Sequence, residues 1–154
     1  METTDEVELR SVPFEHADSV MLRSAQQAEL AARYKTEDSE PGVKPSAANV
    51  AVFLIAYDDG VPAGCGGLHR LDGGGFEIKR MYVTPARRGT GIAPAVLSGL
   101  EEWAREQSAT ELLLETGTAQ PDAIRFYERE GYTRTENFGA YVGEALSVCF
   151  SKTL

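Results

Sequence analysis

Met81-Tyr82-Val83-Thr84-Pro85-Ala86-Arg87-Arg88-Gly89-Thr90-Gly91-Ile92-Ala93 joins a β-type run to a basic, glycine-rich turn that opens directly into a helical pattern. Glycines let a backbone approach an anion closely. The first N–H groups of a helix have no intrahelical partner, and the helix dipole favours negative charge there. The stretch therefore reads as a seat for phosphate. The helix it opens runs from Ile92 to Glu106, with Val96, Leu97, Leu100, Trp103 and Ala104 at helical spacing, and Ser108-Ala109-Thr110 ends it. Glu111 to Thr116, with Leu112-Leu113-Leu114, is a short buried strand. The order strand, turn, helix, strand predicts a parallel pair joined by a crossover.

Working outward, the segments on either side alternate between β and α patterns. Glu6 to Phe14 alternates apolar and polar residues and ends near Pro13, as an edge-like strand does. A helix is expected from Ala17 to Tyr34, with Val20, Met21, Ala25, Ala28, Ala31 and Tyr34 marking one face. Lys35 to Ala48, broken by Pro41, Gly42 and Pro45, reads as a loop. Val50 to Tyr57, Pro62 to Leu71 and Phe76 to Val83 are three strands joined by the turns Asp58-Asp59-Gly60 and Asp72-Gly73-Gly74-Gly75, and so antiparallel. After the parallel strand, Pro121 suits a first helical position and Gly131 a helix stop, giving a helix from Pro121 to Glu130. Tyr132 to Glu136 and Leu146 to Thr153 close the pattern as two more strands.

Composition narrows the function classes. A chain of 154 residues suits one domain spanning 1–154, with 42% hydrophobic and 25% charged residues as in ordinary globular proteins. No apolar run approaches the ~20 residues of a membrane span. The start, Met1-Glu2-Thr3-Thr4-Asp5-Glu6, is acidic and unlike a signal peptide, so a cytoplasmic location is expected. Cys65 and Cys149 lie in apolar strand-like runs and are expected as buried thiols. A net charge of −9 argues against nucleic-acid binding, and Arg87-Arg88 suits a small anion. His16 and His69 have no metal-ligand spacing, and no metal is expected.

Arg88-Gly89-Thr90-Gly91-Ile92-Ala93 matches the [Gln/Arg]-x-x-Gly-x-[Gly/Ala] signature of the GNAT superfamily of N-acetyltransferases. Three further segments resemble the family's in order and separation: Glu77 to Val83, Leu112 to Thr116, and Ala123 to Tyr132. A dinucleotide reading fits worse, because Gly89-Thr90-Gly91-Ile92-Ala93-Pro94 fails the G-x-G-x-x-G pattern, and a P-loop lysine is missing. The resemblance implies an α/β (α+β) GNAT fold: a mixed, mostly antiparallel seven-stranded sheet flanked by about four helices. It implies acetyl-CoA as acyl donor, with Arg88, Gly89, Thr90, Gly91, Ile92 and Ala93 wrapping the pyrophosphate through backbone N–H groups and Arg87 or Arg88 adding charge. Pro94 departs from the common arginine and has no N–H to donate. A β-bulge near Met81 is implied, with the Met81 N–H facing the thioester carbonyl and Tyr82 and Val83 running beside the pantetheine arm.

Two proton carriers are candidates. Deprotonating an alkylamine of pKa about 10 at neutral pH costs roughly 4 kcal/mol at ~1.4 kcal/mol per unit, so a base is useful. Glu77, four residues before Met81, is expected on the same face of the strand and resembles the family's general base; a solvated strand carboxylate is the alternative. Tyr127 falls where the family often carries its general-acid tyrosine, with a ring packing the helix on the sheet as the alternative. His69 reads as a strand-end residue. Fold analogy puts Tyr34, Glu37, Asp38 and Tyr141 near an acceptor pocket, with solvated surface charge as the alternative for the acids. Glu115, near the end of the strand that splays from the third one, is expected either to face the acceptor channel or to form a structural salt bridge. The expected activity is direct acetyl transfer in a ternary complex to a primary amine, a small cationic one by charge. A protein or peptide acceptor, and a non-catalytic acyl-CoA-binding module, stay open, as does a homodimer through the last strands.

Overall fold

Asp59 and Gly60 take left-handed backbone angles (φ 53° and 79°) and close a tight hairpin between β2 (Val50–Asp58) and β3 (Val61–Arg70). An Asp-Gly pair favours this turn because both central positions need positive φ. The computed structural model describes residues 7–34 and 46–154. Within them, β1 (Val7–Ser11) and α1 (Ala17–Tyr34) precede the hairpin, and a turn at 71–75 leads from β3 into β4 (Phe76–Val83). Then come α2 (Ile92–Glu106), β5 (Glu111–Gly117), α3 (Pro121–Arg129), β6 (Thr133–Thr135) and β7 (Ser147–Thr153). The described residues hold three α-helices, with single 3-10 turns at Pro85–Arg87 and Gly139–Tyr141, rather than about four helices. Glu37 and Asp38 lie outside the described residues.

All seven strands form one sheet in the order β1-β2-β3-β4-β5-β7-β6. Every neighbouring pair is antiparallel except β4 with β5, whose crossover is α2. One face of the sheet packs against α2 and α3: Val52, Leu54, Leu68, Ile78, Leu112, Leu114 and Phe150 meet Val96, Leu97, Leu100 and Tyr127. Burying each such aliphatic side chain stabilises the fold by about 1.5–3 kcal/mol. The other face carries Phe53, Ile55, Tyr57 and Cys65, with Leu22 of α1 against them. A buried polar contact ties α2 to the far strands: the Tyr132 hydroxyl and Lys152 Nζ both donate to Glu101 Oε2, at 2.8 and 3.1 Å.

The apolar stripe expected of α1 is not its packing face. Val20 and Met21 are half exposed, whereas Ser19 and Leu22 are buried and Gln26 is partly so. The sheet surface beneath explains this, because it offers polar groups to polar side chains. Tyr57 donates to Asp18 at 2.6 Å, and Gln26 donates to the Met81 carbonyl at 2.9 Å.

Candidate active site

β4 and β5 pair over only three positions, Phe76 to Leu112, Glu77 to Leu113 and Ile78 to Leu114, and then part. The parting starts at an irregularity in β4. Across β3, Gly67 faces Lys79 but Cys65 faces Tyr82, so β4 holds one residue more than its partner. Arg80 absorbs it with φ 62°, an angle a side chain adopts only under constraint. The bulge reverses the alternation. Ile78 and Met81, three residues apart, both pack on the α2 face, and Tyr82 packs on the α1 face. Glu77 and Lys79, alternating with Ile78, sit on the α1 side. The expectation that Glu77 and Met81 share a face is thereby corrected. Period-two counting fails across an inserted residue.

A cleft of about 530 Å3 opens at the parting. Its walls come from α1 (Gln26, Glu29, Leu30), the end of β4 (Met81, Tyr82, Val83), the turn and start of α2 (Arg87, Arg88, Gly89, Gly91, Ile92, Ala93, Pro94), and α3 with its approach (Gln120, Asp122, Ala123, Phe126, Tyr127, Arg129). Thr90 is exposed, and its hydroxyl donates to the Arg87 carbonyl at 2.6 Å. Gly89 and Gly91 have φ of 81° and 92°, and a Cβ at either would meet nothing within 4 Å. The backbone angle, not crowding, requires glycine there. No side chain caps α2 and no acid sits in its first turn, leaving early N–H groups available to an anion.

The two arginines of the turn are already paired. Arg87 Nε lies 3.1 Å from Asp58 Oδ2, and Arg88 donates to Glu29 Oε1 at 2.7 Å and to the Val83 carbonyl at 3.0 Å. Neither Asp58 nor Glu29 carries a sequence signal for this role. Tyr127 is buried, edge-on to Phe126 and Tyr132 at centroid distances of 5.1 and 5.7 Å. Burial pushes its hydroxyl well above the ordinary tyrosine range, so it stays protonated at neutral pH.

Glu77 and Tyr141 line a second pocket, of about 380 Å3, with Asn49, His69, Asp72, Lys79 and Phe138. The Tyr141 hydroxyl donates to Glu77 Oε2 at 2.6 Å and accepts from Lys79 Nζ at 2.8 Å. Lys79 Nζ stands 3.7 Å from Glu77 Oε2, and His69, the cross-strand neighbour of Glu77, has Nδ1 3.9 Å from Oε1. Glu77 is therefore a buried, paired carboxylate rather than a solvated one. Asn137 holds Tyr141 in place by donating to its carbonyl at 3.0 Å. Lys79 was legible in principle, since it alternates with Glu77 along β4. Glu115, on β5, accepts from the Ser147 hydroxyl at 2.8 Å and lines neither cavity, and Tyr34 is the last residue of α1.

Cys65 is nearer the bulge than its position in a packed strand suggests. Its Sγ donates to the Arg80 carbonyl at 3.3 Å. Burial pushes the thiol up to about 12, so it is no nucleophile at neutral pH. Among the described residues no three His, Cys, Asp or Glu side chains gather to hold a metal ion, and no helix is long and apolar enough to cross a membrane.

Residues 19–132 match the model of the acetyltransferase (GNAT) family. An IAA acetyltransferase of Azospirillum brasilense is 38% identical over 103 residues, 66% of this chain and 67% of that one. The crystal structure of a putative acyl-CoA N-acyltransferase from Klebsiella pneumoniae is 30% identical, covers 96% of this chain and 97% of its own, and superposes with a TM-score of 0.80. A GNAT family acetyltransferase from Elizabethkingia anophelis, solved with acetyl-CoA bound, shares the fold at 15% identity and a TM-score of 0.72, covering 98% of this chain and all of its own.

Proposed function

We propose that this chain, which belongs to the acetyltransferase (GNAT) family, transfers an acetyl group from acetyl-CoA directly to the primary amine of a small molecule. The observation that carries the reading is the parting of β4 and β5 at the Arg80 bulge, beside an uncapped helix start and a buried, protonated tyrosine. The cleft has room and suitable donors for the arm and phosphates of acetyl-CoA, and the Elizabethkingia relative was solved with that molecule.

In this mechanism Gly89, Thr90, Gly91, Ile92 and Ala93 hold the pyrophosphate with backbone N–H groups, while Arg87 and Arg88 add charge. Each arginine keeps, or trades, its carboxylate when phosphate arrives. The Met81 N–H stabilises the oxyanion that develops on the thioester carbonyl. Glu77 takes the proton of the attacking amine through Tyr141 or a water, from the α1 side. Tyr127 gives a proton to the departing thiolate from the α2 side. Base and acid thus stand on opposite faces of the sheet, with the thioester in the gap between them. The acidic balance of the chain favours a cationic amine at encounter.

A thiol-release screen with acetyl-CoA across small amines, polyamines and basic peptides tests the reading. CoA release with a small amine is the expected result. Release only with peptides would move the acceptor to the protein class, and silence with acetyl-CoA binding retained would favour a binding module.

A further inference from the structure

The carboxamide of Gln26 reaches from α1 to the bulge. Its Nε2 donates to the Met81 carbonyl at 2.9 Å. A carbonyl only accepts, so the amide cannot be turned round without setting two oxygens against each other. Oε1 is thereby fixed on the far side of the amide. There it is buried and has no hydrogen-bond partner among the described residues. Gln26 lines the same cleft as Met81 and Tyr127. A buried oxygen left without a donor is costly, and such groups ask for an explanation.

The preceding peptide is held as well. Cys65 Sγ donates to the Arg80 carbonyl, and in a planar trans peptide the carbonyl and the next N–H point opposite ways. Holding the Arg80 carbonyl therefore sets the direction of the Met81 N–H. Gln26 fixes the following peptide, so consecutive units of the bulge are anchored by side chains from β3 and α1.

We propose that Gln26 both positions the bulge through Nε2 and binds substrate through Oε1, which accepts a hydrogen bond from an N–H of a molecule in the cleft. The N–H belongs either to a secondary amide of the acetyl-CoA arm or to the acceptor amine. The proposal rests on the acetyl-transfer reading above.

Gln26→Met removes donor and acceptor at nearly constant shape, and Gln26→Glu keeps an oxygen at Oε1 but loses the donor to Met81. Calorimetric Kd for acetyl-CoA, KM for both substrates, kcat and the thermal midpoint are measured for each. Losing one buried hydrogen bond is expected to weaken binding about tenfold. A higher Kd for acetyl-CoA with an unchanged acceptor KM assigns the N–H to the arm, and the reverse assigns it to the acceptor. Gln26→Glu should recover part of that binding but not kcat, since its carboxylate faces the Met81 carbonyl. Wild-type protein supplies a readout independent of variant folding. The Gln26 side-chain amide resonances should shift on adding acetyl-CoA in the first case, or the acceptor in the second. Binding constants within twofold of wild type in both variants, or amide resonances indifferent to both substrates, would overturn the proposal. Wild-type protein that binds no acetyl-CoA would instead overturn the reading beneath it.

Discussion

Tyr127 is held where losing its proton is unfavourable, by burial alone. An acid catalyst needs its proton at the working pH, and this hydroxyl keeps it. Tyr127→Phe preserves the ring contacts with Phe126 and Tyr132 and removes only the hydroxyl. We expect kcat to fall roughly 100-fold, the scale of one general acid, with the Kd for acetyl-CoA within twofold; steady-state kinetics beside calorimetry check this. Glu77, the proposed base, has the opposite task. Glu77→Gln should cost most activity at low pH, where free amine is scarcest, and a pH–rate profile that falls by the same factor throughout would remove Glu77 as the base. At this scale the sequence carried much of the cleft: Met81, Gly89, Gly91 and Tyr127 stand together there as their motifs imply. Gln26 left no trace, because a glutamine inside a helix has no spacing that marks it. Its importance arises only from what lies opposite.

The elements were legible wherever turn chemistry punctuates them. Asp59-Gly60 and Gly131 supply the left-handed backbone angles that a tight turn or a helix end needs, Pro121 has the fixed φ of a helix start, and the hairpin and α3 are bounded there. The bulge was expected from resemblance, yet its effect on facing was not foreseen, because an extra residue exists only relative to the neighbouring strand. The packing face of α1 was misread for a related reason: the sheet beneath presents hydroxyl and carbonyl groups, so polarity rather than an apolar stripe selects the face. Gly66 shows how closely β3 and α2 depend on each other. A Cβ there would stand 2.5 Å from Met81 Sδ and 3.0 Å from Val96 Cγ1. Gly66→Ala must displace the Met81 side chain from beneath the bulge. Overpacking of this kind costs about 1–3 kcal/mol, to be read from urea midpoints, and kcat should fall with it.

For the whole molecule, several buried acids share one direction of shift. Cys65 is pushed up to about 12 from an ordinary 9, Tyr57 to about 12 from 10, and Tyr127 and Tyr132 are raised further, in each case with burial as the largest cause. A group whose folded pKa is raised contributes stability that is intact below the unfolded value and lost as pH climbs toward the folded one. The thermal midpoint should hold to about pH 9, decline from there as the Cys65 and Cys149 thiols, both raised by burial in the folded protein, ionise in the unfolded chain, and decline more steeply above pH 10 when the tyrosines join. Cys65→Ala should make the segment between about pH 9 and 10 shallower, Cys149 keeping the remainder, while leaving the steeper one. An unchanged profile in that variant would show that other groups set the alkaline limit.

The brief meeting of β4 and β5 has one more consequence. Most sheets carry their raw edges at the rim, but this one carries two in its interior, where β4 and β5 turn unpaired backbone toward each other. The four strands before the gap and the three after it are two leaves, paired directly only at Phe76–Ile78 and Leu112–Leu114 and otherwise joined through α2, whose Glu101 accepts from Tyr132 and Lys152. Backbone edges of this kind seek an extended partner. A slender molecule laid between the leaves would complete the sheet as a strand does, so binding of the proposed acetyl-CoA arm would also be the last step of the protein's own architecture.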